Sequence, residues 1–300
     1  MNNPLPLVSI GIPTYNRCDL LARAIDSVLG QSYRAIEVIV SDNASVDDTE
    51  RVCREFSLRD SRLRYHRAKD NQGPIWNFSK VLRMATGEYF MWLADDDWID
   101  VGYVAACLSR LSVSPDVSLV GGRSEYIRNG AVVELGSVVQ VCALQPWHRV
   151  FSYYTQVSDN GIFYGLMRKW QVEKVPLRCE MASDWLLVGG LAFHGKIETL
   201  DEVKVHRELG GATASFAQIC RTLGLPRSHA IFPELTLAFN VARDALVRGE
   251  AFSKCPTAER TLWASLLFVA VFGRQVVVTL WRRLTRICER FRSRSTRAAR

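Results

Sequence analysis

Apolar and polar positions alternate between two spacings over the first hundred residues. Residues 7–13 form a short run rich in branched apolar side chains, and the stretch after them sets Leu20, Leu21, Ala24, Ile25, Val28 and Leu29 at helical spacing. The alternation then repeats: residues 36–42 predict a second buried strand, 46–56 a helix with acids in its first turn, and 63–67 a short third strand. Residues 73–85 predict another helix, closed by Gly87, and the aromatic run 89–93 predicts a fourth strand. Strand-helix order sustained from Leu7 to Asp97 predicts a parallel, doubly wound α/β sheet.

Beyond that unit, residues 101–112 read as a helix and 117–122 as a strand, whereas 123–160 alternate weakly and suggest smaller strands and loops. Residues 182–195 read as a helix with Ser183 as its N-cap. No internal repeat is visible. The division expected is a catalytic domain over residues 1–215, a helical connection over 216–256 and an amphipathic C-terminal helix with a basic tail over 257–300.

Composition sharpens this picture at two points. A chain of 300 residues that is 48% hydrophobic and 23% charged has enough apolar surface for a substantial core, which excludes a disordered or fibrous protein. The formal charge of +7 is carried by the stretch after Trp281, where eight arginines face one acid, Glu289. The body is formally neutral, so no nucleic-acid groove is expected. The eight cysteines are widely spaced with no CxxC pair, which favours reduced thiols over a zinc cluster. The start of the chain lacks a basic segment followed by a long apolar core, and the expectation is a cytoplasmic protein.

The candidate chemistry begins where three carboxylates, Asp95, Asp96 and Asp97, follow directly on the apolar run of the fourth strand. Like charges crowded together cost free energy unless a cation, a hydrogen-bond network or solvent relieves them. Open α/β sheets place their ligand crevice outside the carboxyl ends of the strands, where these three would lie. A solvated acidic turn is the alternative reading of the same residues. The other strand ends carry polar residues too: PTYNR after the first strand, SDNASVDDT after the second, and DNQG before the helix that follows the third.

Taken in this order, over roughly residues 5–211, the motifs resemble those of the GT-A glycosyltransferases, specifically the inverting family 2 that includes many bacterial polysaccharide and O-antigen enzymes. The resemblance implies a mostly parallel Rossmann-like GT-A sheet with flanking helices. It implies a sugar transfer from a nucleotide-sugar donor, of UDP or dTDP type, to a hydroxyl on a glycan or lipid-linked acceptor. By position, Pro13, Thr14, Tyr15 and Arg17 would line the nucleotide pocket, Asp42 would accept the N3–H of uracil or thymine, and Asn71 and Gly73 match an NxG turn of the family. Cytosine N3 is itself an acceptor, so a carboxylate selects the imide bases. A helix-capping or turn role is the other reading of Asp42, and a simple turn that of Asn71 and Gly73.

The triple aspartate matches the family's DxD-like element in two registers. In one, Asp95 contacts the ribose and Asp96 the metal; in the other, Asp95 and Asp97 form the pair. Oxygen ligands fit Mg2+ or Mn2+ bridging the donor diphosphate. Asp184 would be the general base that deprotonates the acceptor, with Glu180 in reserve; Ser183 stands where the family often has an acid. Asp184 placed only to favour a helix N-terminus is the alternative. His206 and Arg207 match a closing loop of the family, in which His206 would reach the metal or the diphosphate and Arg207 would pair with phosphate; an ordinary surface loop is the alternative reading.

The C-terminal segment repeats apolar residues at close to helical period, but its longest uncharged run, 261–273, is shorter than the ~20 residues a bilayer span needs, and Arg274 interrupts it. It suits a helix lying on an anionic membrane surface, which would make the protein peripheral on the inner face of the cytoplasmic membrane. It equally suits a helix packed on the domain. Two competing functions share much of this pattern. A GT-A-like nucleotidyltransferase would also bind nucleotide and metal, although no glycine-rich phosphate loop with a following lysine is present. A membrane-associated module that binds nucleotide sugar without turnover would keep the acidic triplet.

Overall fold

The computed structural model describes residues 5–159, 161–209 and 215–298, with side chains as far as Leu280. The expected β-α alternation is present in register. Strands β1 (Val8–Thr14), β2 (Ile36–Asp42), β3 (Leu63–Arg67) and β4 (Tyr89–Trp92) are joined by helices α1 (Cys18–Leu29), α2 (Thr49–Arg59) and α3 (Pro74–Met84). These four strands are mutually parallel, β1 pairing with β2 from Val8↔Ile36 to Thr14↔Asp42 and with β4 from Val8↔Tyr89 to Gly11↔Trp92. Parallel strands in this register end on one edge of the sheet. That edge carries Thr14, Asp42 and the segment running from Trp92 into the aspartates.

The chain continues through β5 (Trp98–Ile99), α4 (Tyr103–Val113), β6 (Val117–Arg128), β7 (Ala131–Leu135), β8 (Gln140–Val141) and α5 (Pro146–Gln156). It then forms β9 (Leu166–Arg168), α6 (Lys169–Val172), α7 (Ser183–His194) and β10 (Lys196–Glu208). The described part closes with α8 (Phe216–Thr222), α9 (Ser228–Ile231), α10 (Pro233–Arg243) and α11 (Thr257–Ala298). Among the described residues the sheet has ten strands in the order β3-β2-β1-β4-β9-β6-β10-β5, with β7 on β6 and β8 on β10. The sheet is mixed rather than wholly parallel, since β9 runs antiparallel to both β4 and β6.

Both faces of the sheet are covered, as burial of β1, β2 and β4 along their whole lengths requires. One apolar cluster joins the sheet to α1, α2 and α4 through residues such as Leu21, Ile25, Phe56 and Leu111. The other joins it to α3, α5, α7, α10 and α11 through Val81, Tyr153, Leu187, Val241 and Leu267. In the second cluster the Trp92 ring stacks on Phe163 at 4.9 Å and its N–H donates to the Phe78 carbonyl at 3.0 Å. The carboxylates that follow Trp92 therefore leave from a rigid point.

Three local expectations are corrected. Gly87 does not close α3, which ends at Ala85 in an extended conformation. It lies where the chain crosses β1: a Cβ there would stand 2.6 Å from the Leu7 carbonyl oxygen, and its N–H donates to Ser9 Oγ at 2.8 Å. Ser183 is the first residue of α7 rather than its cap; its hydroxyl accepts the Arg178 N–H at 3.0 Å, and the capping position is Ala182. Residues 146–156, read as loop, form α5, with Trp147, Val150, Tyr153 and Tyr154 buried.

The last helix is more tightly integrated than its composition suggests. By length and composition, Thr257–Leu280 could cross a membrane, at a mean hydropathy of 1.7. Yet Ala264, Leu267 and Val271 are buried in the cluster shared with α5, α7 and α10. Arg274, which breaks the apolar run in the sequence, is turned inward and donates to the backbone carbonyls of Val157 and, at 3.2 Å, Gln156 at the end of α5. What remains outward is an apolar stripe of Leu262, Leu266, Val269, Phe272, Val277 and Leu280. The side chains of Trp281 and of the arginine run lie outside the described residues.

Candidate active site

A cleft of about 730 Å3 opens at the carboxyl ends of the strands. Its floor is built by β1 and by the turn after β4, which present Pro13, Arg17, Asp95, Asp96 and Asp97. Asp184 and Trp185 approach from the start of α7, and Arg207 from β10. Eight candidate site residues from the sequence thus meet at one cleft: Pro13, Arg17, the three aspartates, Glu180, Asp184 and Arg207. Thr14, Tyr15, Asp42, Asn71, Gly73 and His206 are not part of its lining.

The aspartates have distinct surroundings. Asp96 Oδ2 accepts from Arg17 Nη1 at 2.6 Å, and its backbone carbonyl accepts from Arg23 Nη2 at 2.9 Å. The Arg23 guanidinium is itself held 3.6 Å over the Trp98 ring. Asp97 is buried and accepts from Arg207 Nε at 3.0 Å. Asp95 is pushed up to about 7, by loss of hydration and then by the charge of Asp96, against the opposing pull of Thr14, Arg17 and the Tyr15 backbone. Asp97 is pushed up to about 6 by burial, with Arg207 pulling it down and Asp96 adding to the rise. Two carboxyls lifted in this way, chiefly by burial and then by the neighbouring charge of Asp96, are short of hydration and of positive charge beside an open cleft.

That shortage bears on a metal. Among the described residues no three acidic, histidine or cysteine side chains are grouped to hold an ion by themselves. Mg2+ and Mn2+ commonly take only one or two carboxylates from the protein and complete their shell with substrate phosphates and water. Asp95 and its neighbours supply the hard oxygen donors for that arrangement, and a cation would offset the repulsion that lifts their pKa values.

Arg207 is a partly buried cation in an aromatic frame, 4.8 Å from the Tyr164 ring and 5.5 Å from the Tyr126 ring, with Nη1 donating to Tyr126 Oη at 3.3 Å. Burial disfavours its charge, but Asp97 and the two tyrosines outweigh this and hold it firmly protonated. Residues on a strand alternate faces, so His206 points the other way. His206 Nε2 meets Asp100 Oδ1 at 2.8 Å, Nδ1 meets Glu125 Oε2 at 3.1 Å, and its ring stacks on Trp98 at 5.1 Å. The structure therefore separates His206 from the aspartates and gives it a bracing position behind them.

Asp184 lies in the first turn of α7, where its Oδ1 accepts the Trp185 N–H at 3.0 Å. Ala182, just before it, has φ 61°, a left-handed conformation that costs roughly 1 kcal/mol for a residue with a Cβ. Glu180, also on the cleft, is committed to Arg243 at 2.7 Å and to Arg248. Both Glu180 carboxylate oxygens are thus engaged by arginines.

Asp42 is fully buried. Its Oδ1 accepts the Ser45 N–H at 2.8 Å and its Oδ2 accepts from Tyr65 Oη at 2.7 Å, with Arg67 Nε 3.5 Å away. These contacts shape the turn after β2, and they agree with the turn reading of this residue. Asn71 Oδ1 accepts the Gly73 N–H and the Asn43 side-chain amide, both at 2.9 Å, and Gly73 has φ 82°, which glycine adopts without strain. Asn43, not singled out from the sequence, clamps this turn to β2 by also accepting the Gln72 N–H at 2.9 Å. Thr14 is buried at the end of β1, and Tyr15 is 43% exposed beside it.

Sequence reasoning missed half of the cleft. Tyr126, Asp159, Phe163 and Tyr164 come from the weakly patterned middle of the chain, and α8, α10 and α11 contribute Ile219, Leu223, Glu234, Gln275, Val278 and Thr279. The apolar spacing read from the sequence, with Leu262, Leu266, Val269 and Phe272 at helical period, falls on the outward stripe of α11, not on the face that packs into the domain. Nothing in the sequence marked which cavity that face would wall.

The sequence model described as glycosyl transferase family 2 matches residues 9–169. The match contains the aspartate triplet and ends upstream of Asp184. Over 107 residues the chain is 36% identical to a GalNAc(5)-diNAcBac-PP-undecaprenol beta-1,3-glucosyltransferase of Campylobacter jejuni, an overlap of 35% of this chain and 35% of that relative. The aligned part thus spans about a third of the relative's length. Among solved structures, S. aureus TarS 1-349 in complex with UDP superposes with a TM-score of 0.57 at 18% identity, covering 88% of this chain and 80% of that one. The mannosyltransferase PcManGT from Pyrobaculum calidifontis, in complex with GDP-Man and Mn2+, superposes with a TM-score of 0.52 at 18% identity, covering 92% of this chain and 81% of that one. At such identity the two structures establish likeness of fold.

Proposed function

Because this chain belongs to glycosyl transferase family 2, we propose that it transfers a sugar from a nucleotide-sugar donor of UDP or dTDP type to a hydroxyl of a glycan or lipid-linked acceptor, with inversion at the anomeric carbon. The observation that carries this reading is the single cleft with a charge-deficient carboxylate triplet and two arginines on one side and Asp184 on the other. The donor diphosphate lies against the triplet and Arg207. Asp184 takes the proton of the attacking hydroxyl, so that the nucleophile and the leaving nucleotide are on opposite sides of the reacting carbon.

Either Asp96, with Asp95 on the ribose, or the pair Asp95 and Asp97 would hold Mg2+ or Mn2+, which when bound neutralises charge on the diphosphate. Arg17 and Arg207 orient their partner carboxylates, and Arg207 is placed to exchange part of its contact with Asp97 for a phosphate oxygen. Pro13, Thr14 and Tyr15 border the nucleotide at the end of β1. Base recognition by Asp42 rests on the order of motifs; the carboxylate is fully buried and engaged by Ser45, Tyr65 and Arg67, so a base would reach it only by displacing one of these contacts. The NQG turn at Asn71–Gly73 shapes the same side of the pocket.

The outward stripe of α11 and the arginines that follow it support a reversible association with an anionic membrane surface. Each basic residue near such a surface contributes about 1 kcal/mol. The relative from Campylobacter jejuni is named for a lipid-linked acceptor, and a membrane-bound acceptor would be presented at that surface.

The test is nucleotide release with Mn2+ over a panel of UDP, dTDP and GDP sugars, comparing the natural chain with Asp96→Asn and Asp184→Asn. Metal-dependent release from one donor, depressed in both variants, is the expected result. Donor binding without release, even with membrane lipid extract as acceptor, would replace this reading with a binding module. Pyrophosphate formed from a nucleoside triphosphate and a sugar phosphate would replace it with a nucleotidyltransferase.

A further inference from the structure

The cleft is chemically two-ended. Charged groups gather where β1, β4, α7 and β10 meet, whereas the side built by α8, α10 and α11 presents Ile219, Leu223, Pro233, Leu237 and Val278. Three of the five polar side chains on that side are engaged elsewhere: Thr279 Oγ1 donates to Glu234 Oε1 at 2.7 Å, and Arg274 is bound to the carbonyls at the end of α5, which leaves Thr222 and Gln275. A carbohydrate lying there would lose hydration and find few hydrogen-bonding groups to replace it. A hydrocarbon chain would lose only unfavourable contact with water.

The apolar surface also does not stop at the rim. Phe216 lines the cleft while 51% exposed, and Ile231, Phe232 and Val277, adjacent in the chain to the cleft wall, are each more than half exposed. Val277 belongs also to the outward stripe of α11, which leads in the sequence to the arginine run. Exposed apolar patches of this extent on a soluble domain mark binding surfaces. The direction of the surface, from the reacting end of the cleft toward a basic tail suited to anionic headgroups, matches a chain whose far end rests in a membrane.

We propose that the α8-α10-α11 side of the cleft binds the hydrocarbon chain of an amphiphilic acceptor, holding its head group at Asp184 while the rest of the chain leaves past Phe216 and Phe232. This rests on the transferase reading only for the identity of the head group; the chain site itself is defined by the apolar wall.

The site is tested on the full chain by calorimetry with n-alkyl β-glycosides from butyl to nonyl, below their micelle-forming concentrations and with UDP present. Affinity is expected to rise about threefold per added methylene. The rise should be lost in the double variant Ile219→Asn/Val278→Asn and kept in Leu58→Asn on the exposed face of α2. Should the double variant fail to fold, the single variant Ile219→Ser is expected to flatten the series in part. A flat series in the natural chain overturns the proposal. So does a rise that persists in the folded double variant, because the chain then binds elsewhere, the outward stripe of α11 included. Binding is read without turnover, so a steep series from a protein that never releases nucleotide keeps the site and rejects the transferase reading, and turnover with a flat series does the reverse.

Discussion

At the scale of single residues the account turns on protons. Asp184→Asn keeps the shape of the side chain and removes its basicity, so kcat for transfer is expected to fall about a hundredfold to ten-thousandfold while calorimetric affinity for the nucleotide is retained. A loss of affinity equal to the loss of rate would assign Asp184 to binding. Asp95 gives a pH prediction with a definite sign. Its carboxyl is held at about 7, against an ordinary 3.8, so the metal-free folded protein binds this proton more tightly than the unfolded chain does. Stability should therefore fall as pH rises from about 4 through 7, with Asp97 adding in the same direction up to about 6. Asp95→Asn should flatten the urea midpoint across that window and raise stability at pH 7.5 by on the order of 1–2 kcal/mol, allowing for the partial exposure of the carboxyl to the cleft. An unchanged slope would contradict the placement of Asp95. At this scale the sequence was informative where chemistry is local. Three adjacent carboxylates announce their own repulsion, but the aromatic frame of Arg207 comes from Tyr126, 81 positions away, and from Tyr164, and no spacing rule connects them.

Among the elements, the first four strands and three helices were readable because each has one strong period and a sharp punctuation residue. Helix α5 was not, although Trp147, Val150 and Tyr154 follow helical spacing, because aromatic and β-branched residues favour strands and its start lacks a capping side chain. Helix α11 was legible as amphipathic, yet the inward turn of Arg274 reverses what that residue suggests in the sequence, where it looks like a break in an apolar surface. Leu267 lies in the cluster shared with α5, α7 and α10, so Leu267→Ala should cost about 2–4 kcal/mol in denaturant unfolding. Leu266→Ala, one position earlier and 43% exposed, should cost no more than about 0.5 kcal/mol. Equal small effects would mean that α11 is not part of the folded domain.

For the whole molecule, the division of charge and apolar surface predicts where the protein sits. Sedimentation with anionic vesicles should deplete the full chain from solution, with the bound fraction falling as salt is raised. A chain ending at Leu280 should bind less, as should Val269→Glu on the outward stripe. Removal of all residues from 257 onward is the poorer experiment, because it also takes away buried Leu267 and Val271 and one wall of the cleft. Binding that ignores salt, stripe and tail would remove the membrane from the account. The central claim is a single displacement across the cleft, with Asp184 facing the donor held by the aspartate triplet. Its most direct test is the anomeric configuration of the first-formed product from an α-linked nucleotide sugar, followed by proton NMR from the start of the reaction. A β-linked product is the predicted result. An α-linked product would contradict the claim, since retention requires either an enzyme nucleophile or attack from the side of the leaving nucleotide, and neither is the role assigned to Asp184.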